Sequence, residues 1–440
     1  MPELIGNFQS SCNTDKIIIN GRNRLFGNID VSGMKNAALP IIFATILTKN
    51  KCVIENLPPV SDVTLSLEIL REMGASVRFL DPTTVEINTA SFCQGLAPFD
   101  LVSKMRGSTY LIGAELGRFG KASVNYPGGC DFGVRPIDQH IKGFEALGAK
   151  VWRENGYIHA DAGNGLVGNS VYFDVTSVGA TVNVILASVL ADGMTVIENA
   201  AREPHIVDLA NFFNTCGANI TGAGTGVIKI RGVRELHGCT YTIIPDMIEA
   251  GTFMVAAATV GGRINVTNVI PKHMETVSTK LMEMGAAIEE HDDSITVTSD
   301  GHLNSVNIKT LPYPGFPTDM HPQFGAALCF ATGTGMITEG IWENRFRYTD
   351  ELRKMGADIL VEGKAATFLG NSHMSGARVT AVDLRGGAAV LIAALAAEGV
   401  SEITGIDVIK RGYYNIVGKL KAIGADIREE CQFFTVANIN

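Results

Sequence analysis

Six apolar, small-residue stretches of the chain each begin with residues able to do chemistry: Lys35-Asn36, Arg106, Ser177-Val178-Gly179, Asp246, Asp319 and Arg385. The stretches they open, 36–47, 107–116, 180–190, 248–260, 323–331 and 387–397, are apolar nearly all round, which predicts buried helices. A helix start carries free N–H groups and the positive end of the dipole, so such starts turned toward one cleft would attract phosphates and carboxylates. For Ser177, Asp246 and Asp319, capping of those N–H groups is an equally available role. Capping does not account for Lys35, Arg106 and Arg385, because a cation there opposes the dipole and needs an anionic partner.

A second group lies in the segment from Tyr126 to His140, where three glycines surround Cys130 ahead of a helix expected to start near Pro136. A thiol in a Gly-rich, Arg-flanked loop should be exposed and lean toward thiolate, which makes Cys130 a candidate acid, base or nucleophile. The other seven cysteines read as packing residues. Arg135 and Asp138 fit either a ligand site or a local ion pair, and His140 either a site or a helix face. Asp319 follows two prolines and a glycine in Tyr313-Pro-Gly-Phe-Pro-Thr-Asp319, a rigid turn that could aim a general base at a sugar hydroxyl. Arg345 and Arg411 sit in turns before amphipathic helices. Together with Arg106, Arg135 and Arg385 they occupy equivalent places in a repeat, which suggests convergence on one anionic ligand.

That repeat organises the whole chain. A helical segment ending Met/Leu/Cys/Ile-Gly-Ala, followed one residue later by Val or Ile, recurs at Gly74, Gly148, Gly217, Gly285, Gly356 and Gly424, with spacings of 74, 69, 68, 71 and 68 residues. Glycine suits the left-handed position that ends a helix, so each copy predicts a helix-to-strand corner. With the buried helix about 40 residues upstream, a short strand and a pair of strands, each unit reads as βαβαββ. A unit near 70 residues is long for a solenoid, so two compact domains of three units each are expected.

Composition narrows the function. The 440 residues are 46% hydrophobic and 18% charged, enough for sizeable cores, and 36 Lys+Arg against 45 Asp+Glu give −9. No basic run stands out, so nucleic acid is not an expected partner. Eight cysteines without a C-x-x-C, in a chain without a secretory signal, predict a reducing cytoplasmic setting and no structural metal. The longest apolar stretch, 386–397, is 12 residues and too short to span a bilayer, so no membrane is expected. Residues 117–121 lack the Walker spacing, and Gly222-Ala-Gly224 lacks the third glycine of a dinucleotide turn.

The motifs Gly33-Met-Lys-Asn-Ala-Ala-Leu-Pro40, Pro127-Gly-Gly-Cys130, Arg135-Pro-Ile-Asp138, Ser177-Val-Gly-Ala-Thr181, Arg202-Glu-Pro204, Pro314-Gly-Phe-Pro-Thr-Asp319 and Glu343-Asn-Arg-Phe346 resemble the UDP-N-acetylglucosamine 1-carboxyvinyltransferase family of enolpyruvyl transferases. The likeness runs from about residue 16 to 438. It implies a two-domain inside-out α/β barrel of six βαβαββ repeats. Residues 1–34 plus 246–440 would form one discontinuous domain and 35–245 the other, with a hinge at the crossings near Gly33–Lys35 and Pro245–Met247. The implied reaction passes enolpyruvate from phosphoenolpyruvate to the 3-hydroxyl of UDP-N-acetylglucosamine through a tetrahedral adduct that expels phosphate, without metal or organic cofactor. The implied partners are these two small molecules.

Carried over by position, Cys130 is the general acid at the enol carbon and the site of attack by the epoxide antibiotic fosfomycin, and Asp319 handles the acceptor proton. Lys35, Arg106, Arg135 and Arg411 hold the phosphate and carboxylate of phosphoenolpyruvate, with Arg345 and Arg385 in support. Asn36 contacts the sugar, Arg135, Pro136, Ile137 and Asp138 the uracil end, Ser177, Val178 and Gly179 the diphosphate, and Ile341 and Trp342 the far wall, while His140 supports the loop. The chain departs from the pattern at Met247, Val175 and Tyr414, where an Arg, a Lys and an acidic residue are expected. Competing readings are the sister transferase acting on shikimate 3-phosphate, a relative using another uridine nucleotide, and a silent nucleotide-sugar binder. The Pro-Gly-Gly-Cys loop and the Arg-Pro-Ile-Asp segment oppose the first, and retention of Cys130, Asp319, Lys35 and Arg411 together opposes the last.

Overall fold

Each of the six corner glycines has a φ between +92° and +104°, a region that penalises any side chain with a Cβ. The alanine after each glycine donates its N–H to the carbonyl five residues earlier, as Ala75 does to Leu70 at 2.9 Å and Ala286 to Leu281 at 3.0 Å, which satisfies a carbonyl the helix end would otherwise leave bare. The computed structural model describes residues 14–95, 97–126, 137–370 and 373–431.

Among the described residues, twelve α-helices of seven residues or more come in pairs: α1 (Lys35–Ala44) and α2 (Ser61–Glu72), α3 (Tyr110–Phe119) and α4 (Asp138–Ala146), α5 (Val178–Ser188) and α6 (Pro204–Thr215), α7 (Met247–Val260) and α8 (Pro271–Glu283), α9 (His321–Phe330) and α10 (Tyr348–Lys354), α11 (Leu384–Ala396) and α12 (Ile416–Ala422). The first helix of each pair is the apolar one. In α7 every residue from Met247 to Thr259 is buried, whereas α8 buries only Met274, Val277, Ser278 and Leu281, one stripe of an amphipathic helix. The helices α7, α9 and α11 pack on one another, and α3 packs on α1 and α5. The small side chains of these helices permit that close approach: a Cβ on Gly113 of α3 would lie 2.5 Å from the Asn183 carbonyl oxygen of α5.

The strands of the described residues form six sheets, five of four strands and one of three. Three draw every strand from residues 51–242, and one draws all of its strands from 307–369. The other two are completed by the start of the chain. Leu25–Asp30 runs parallel to Gly262–Thr267, and Thr14–Asn20 lies antiparallel between Val400–Thr404 and Asp426–Cys431. The α/β class and the paired helices expected from the sequence are present, but the βαβαββ order is not complete in every unit: the second has no strand ahead of its apolar helix among the described residues, and its sheet has three strands. The boundaries differ by a few residues, and Arg106 opens a 3₁₀ turn, Arg106–Thr109, ahead of α3 and not the helix itself. There the hydroxyls of Ser108 and Thr109 bond back to the carbonyls of Met105 and Arg106 and compete with helical pairing.

The chain crosses itself where residues 32–34 meet 244–246, and the two segments are bonded to each other. Met34 N–H donates to Ile244 O at 2.7 Å, Asp246 N–H donates to Ser32 O at 2.9 Å, and Gly33 bridges Pro245. Beside this crossing, Lys419 Nζ lies 2.6 Å from buried Glu249 and 2.8 Å from Ser32 Oγ. A Cβ on Gly33 would stand 1.7 Å from the Asn56 carbonyl oxygen, and Asn56 is itself tied to Ile243 O by its side chain at 2.9 Å. Gly33→Ala must therefore push backbone against backbone. Scanning calorimetry should show a loss of about 1–3 kcal/mol, and an unchanged melting temperature would mean that the crossing is looser than this geometry.

Candidate active site

Two carboxylates, Asp62 buried and Asp319 half-buried, gather the cations whose positions at helix starts demanded an anion. Asp62, in the first turn of α2 and 4% exposed, accepts from Lys35 Nζ at 3.2 Å and from Arg411 Nε at 3.0 Å. Asp319, in the 3₁₀ turn Thr318–Met320, accepts from Arg345 Nη2 at 2.9 Å through one oxygen and from Arg385 Nη2 at 3.2 Å through the other. Arg345 and Arg385 are 2% and 3% exposed, so two interior guanidinium groups meet a carboxylate that is itself half-buried. Burial alone would push the Asp319 carboxyl up. The charges of Arg385, Arg345 and Lys35 outweigh it and hold the group down to about 2. Because Lys35 acts on both carboxylates, Lys35, Asp62, Arg411, Asp319, Arg345 and Arg385 form one electrostatic unit. It joins α1 and α2 to the second half of the chain.

The surroundings fix these groups. Asp383 caps α11 by accepting from the N–H of Arg385 at 3.0 Å and of Gly386 at 2.9 Å, and the Arg385 guanidinium lies 5.3 Å over the Tyr413 ring. The Tyr413 hydroxyl is in turn held by Thr252 Oγ1 at 2.9 Å and Gln323 Nε2 at 3.3 Å. Glu339 bonds the imidazole of His321 at 2.8 Å and the Thr318 hydroxyl at 3.0 Å. Its other oxygen accepts from the N–H of Ile341 at 2.7 Å and of Trp342 at 3.0 Å. Burial pushes Glu339 up, but His321 and those two N–H groups hold it down to about 2. Ile341 and Trp342 are thereby anchored to the turn that carries Asp319. Arg385 Nη1 is buried and has no hydrogen-bond partner among the described residues.

A neighbouring group contains Arg106, His140 and the start of α5. Met105 Sδ is 3.6 Å from Ser66 Oγ, one turn along α2 from Asp62, so Arg106 enters beside the same helix. A Cβ on Gly179 would come within 2.8 Å of His140 Nε2, which places the imidazole against the first turn of α5, where Val178 and Gly179 lie. Burial, reinforced by the Arg106 charge, lowers the His140 pKa to about 4, so the ring is neutral at pH 7. Ser177 caps α5, its hydroxyl accepting from Ala180 N–H at 3.3 Å, and Asp246 caps α7 in the same way. The capping role open to all three residues therefore fits Ser177 and Asp246 but not Asp319, because the residue before α9 is Met320 and the Asp319 carboxylate is taken by arginines.

Of the remaining expected residues, Asn36 is half-buried next to Lys35, Ile137 is buried, and Asp138 is exposed and accepts from Gln139 Nε2 at 2.8 Å. Cys130, Arg135 and Pro136 lie outside the described residues. Met247 packs into the core at the first turn of α7, while Val175 and Tyr414 are 60% and 39% exposed. Sequence reasoning missed Asp62, Glu339 and Asp383. Each looks locally like an ordinary helix-start or turn acid, and only the fold brings Arg411 to Asp62.

Residues 19–420 match the EPSP synthase family (3-phosphoshikimate 1-carboxyvinyltransferase), and the chain belongs to this family of carboxyvinyl transferases. Within it, the chain is 54% identical over 417 residues to UDP-N-acetylglucosamine 1-carboxyvinyltransferase 2 of Clostridium acetobutylicum, covering 94% of this chain and 99% of that one. It is 52% identical over 413 residues to UDP-N-acetylglucosamine 1-carboxyvinyltransferase of Clostridium botulinum, again covering 94% and 99%. The fold is also that of the enolpyruvyl transferase NikO from Streptomyces tendae, with a TM-score of 0.85 at 24% identity over 95% of this chain and 99% of that one.

Proposed function

We propose that this chain transfers the enolpyruvyl group of phosphoenolpyruvate to the 3-hydroxyl of UDP-N-acetylglucosamine and releases phosphate, the first committed step of peptidoglycan synthesis. The names of relatives at 52–54% identity support the reaction. The observation in the fold that carries it is the set of buried Lys35, Arg345 and Arg385 and half-buried Arg411 around Asp62 and Asp319, with Arg385 Nη1 still unpartnered among the described residues. Four cations against two carboxylates leave a surplus of positive charge, which suits phosphoenolpyruvate and the more charged transition state that follows.

The pairing also suggests how a proton moves. While Arg345 and Arg385 hold it, Asp319 is a feeble base, kept down to about 2. An entering phosphate and carboxylate compete for the same guanidinium groups, and each one drawn away makes Asp319 more basic. Its capacity to take the acceptor hydroxyl proton then arises once phosphoenolpyruvate is bound. Cys130 delivers the proton to the enol carbon. Lys35, Arg106, Arg135 and Arg411 grip phosphoenolpyruvate, and Asn36 meets the sugar. The N–H groups at Ser177, Val178 and Gly179 face the diphosphate, with neutral His140 behind Gly179. Arg135, Pro136, Ile137 and Asp138 take the uracil end, and Ile341 and Trp342 the far wall.

We read the architecture as two bodies, 1–34 plus 246–440 and 35–245, each of three βαβαββ units arranged as an inside-out barrel. The pairing of residues 14–30 with 262–267 and with 400–431 supports that division. No helix of the described residues is long and apolar enough to cross a membrane, and we read the protein as cytoplasmic with two small-molecule substrates.

The direct test is phosphate release from phosphoenolpyruvate with UDP-N-acetylglucosamine, beside shikimate 3-phosphate, UMP and a no-acceptor control. Release is expected with UDP-N-acetylglucosamine alone, and release only with another acceptor would overturn the assignment. Cys130→Ser should lose phosphate release and fosfomycin labelling while still binding the sugar nucleotide. Full turnover in that variant would remove Cys130 from the chemistry.

A further inference from the structure

Cys52, Cys216 and Cys239 are remote in sequence and meet in the fold. Cys52 lies on the strand Lys51–Glu55, Cys216 ends α6, and Cys239 immediately precedes the strand Thr240–Thr242. That strand runs parallel to Lys51–Glu55 with Thr240 opposite Val53, so Cys239 falls beside Cys52. The three sulfurs lie within 4.8 Å of one another, and Cys216 Sγ and Cys239 Sγ are 3.3 Å apart. Cys52 and Cys216 are buried and Cys239 is half-buried, and none is in a disulfide. Among the described residues this is the one place where three or more His, Cys, Asp or Glu side chains converge closely enough to share an ion.

We propose that Cys52, Cys216 and Cys239 form a binding site for a soft, thiophilic d¹⁰ cation of the Zn²⁺ class, held by three thiolate bonds, with a fourth position open to water on the Cys239 side. Three sulfurs at Zn–S bonds of about 2.3 Å stand roughly 3.8 Å apart, inside the span these sulfurs already occupy. Binding of Zn²⁺ to three thiols forms three Zn–S bonds, breaks three S–H bonds and releases three protons to solvent, without oxidant or reductant.

The site would work as a staple. It ties the residue that follows α6 to two neighbouring strands, and the first turn of the same helix carries His205, whose environment includes the Asp319 charge. The absence of a C-x-x-C, which argued against a structural metal, says nothing about ligands drawn from three separate elements.

Titration of the reduced, metal-free full chain with Cd²⁺, and separately with Zn²⁺, tests this. One equivalent of Cd²⁺ should bind with a thiolate-to-metal charge-transfer band. Affinity should fall about a hundredfold or more in Cys52→Ala and Cys216→Ala, since even outer-shell changes at metal sites cost ten- to a hundredfold. Cys93→Ser should bind as the parent does. Should the buried variants fail to fold, the unmutated chain still decides the matter: bound Cd²⁺ should shield Cys52, Cys216 and Cys239, and not Cys93, from alkylation mapped by peptide mass. Absence of a stoichiometric site, or equal alkylation of the three with and without Cd²⁺, would overturn the proposal.

Discussion

Asp319→Asn should cut phosphate release by about a hundred- to ten-thousandfold, the usual contribution of a positioned general base, while the chain still binds UDP-N-acetylglucosamine. The same substitution removes the counter-charge of Arg345 and Arg385, both nearly inaccessible, and has a signature in acid. A carboxyl titrating at about 2 in the fold, against 3.8 for the free group, contributes on the order of 2 kcal/mol. The folded value is the depressed one, so this contribution is complete above pH 4 and is lost as pH falls from about 4 to about 2. Denaturation followed against pH should therefore show an acid-linked decline in the parent that is smaller in Asp319→Asn. Parental turnover in the variant would remove Asp319 from proton transfer, and identical acid profiles would mean that its pairs with Arg345 and Arg385 do not survive in solution.

Asp62→Asn should be as damaging through a different route. Asp62 touches no substrate in the proposed reaction. It is a positioning residue that holds Lys35 and Arg411 across the two halves of the chain. Neutralising a buried partner of two cations costs about 3–5 kcal/mol, and mispositioned cations should lower kcat/KM for phosphoenolpyruvate by about a hundred- to a thousandfold. Inorganic phosphate separates this role from simple misfolding. It can replace the missing negative charge, so it should raise the melting temperature of Asp62→Asn by more than that of the parent. An equal effect on both would mean that Lys35 and Arg411 do not depend on Asp62 for their charge balance.

How legible these features are in the sequence depends on how local their causes are. The corner at Gly285 is readable because one left-handed glycine and its alanine satisfy the end of α8 within six residues. The burial of α7 and α11 follows from composition alone. Lys35 and Arg385 are readable as anomalies, since a cation at a helix start demands an anion, but the identity of that anion is not. Asp62 looks like any acid in a first helical turn, and its partner Arg411 is 349 positions away. The thiol cluster is hidden for the same reason, because Cys216 is the end of one helix and its neighbours belong to two strands. Ser177 and Asp319 look alike beside their helices, yet one caps and the other does not, a difference set by which side chains arrive from elsewhere.

The strand Thr14–Asn20 finds its two neighbours only at Val400–Thr404 and Asp426–Cys431. A ribosome adding about 5–20 residues per second takes roughly 20 to 80 s to deliver the second of them. Throughout that interval Ile17, Ile18 and Ile19, all interior in the finished fold, have no native sheet to join. The three sheets drawn from residues 51–242 need nothing from the rest of the chain and can close first. Synthesis therefore proceeds with a finished middle and an open seam, and three consecutive isoleucines on an unpaired edge make that seam the place where nascent chains are most exposed to mispairing and to chaperone capture.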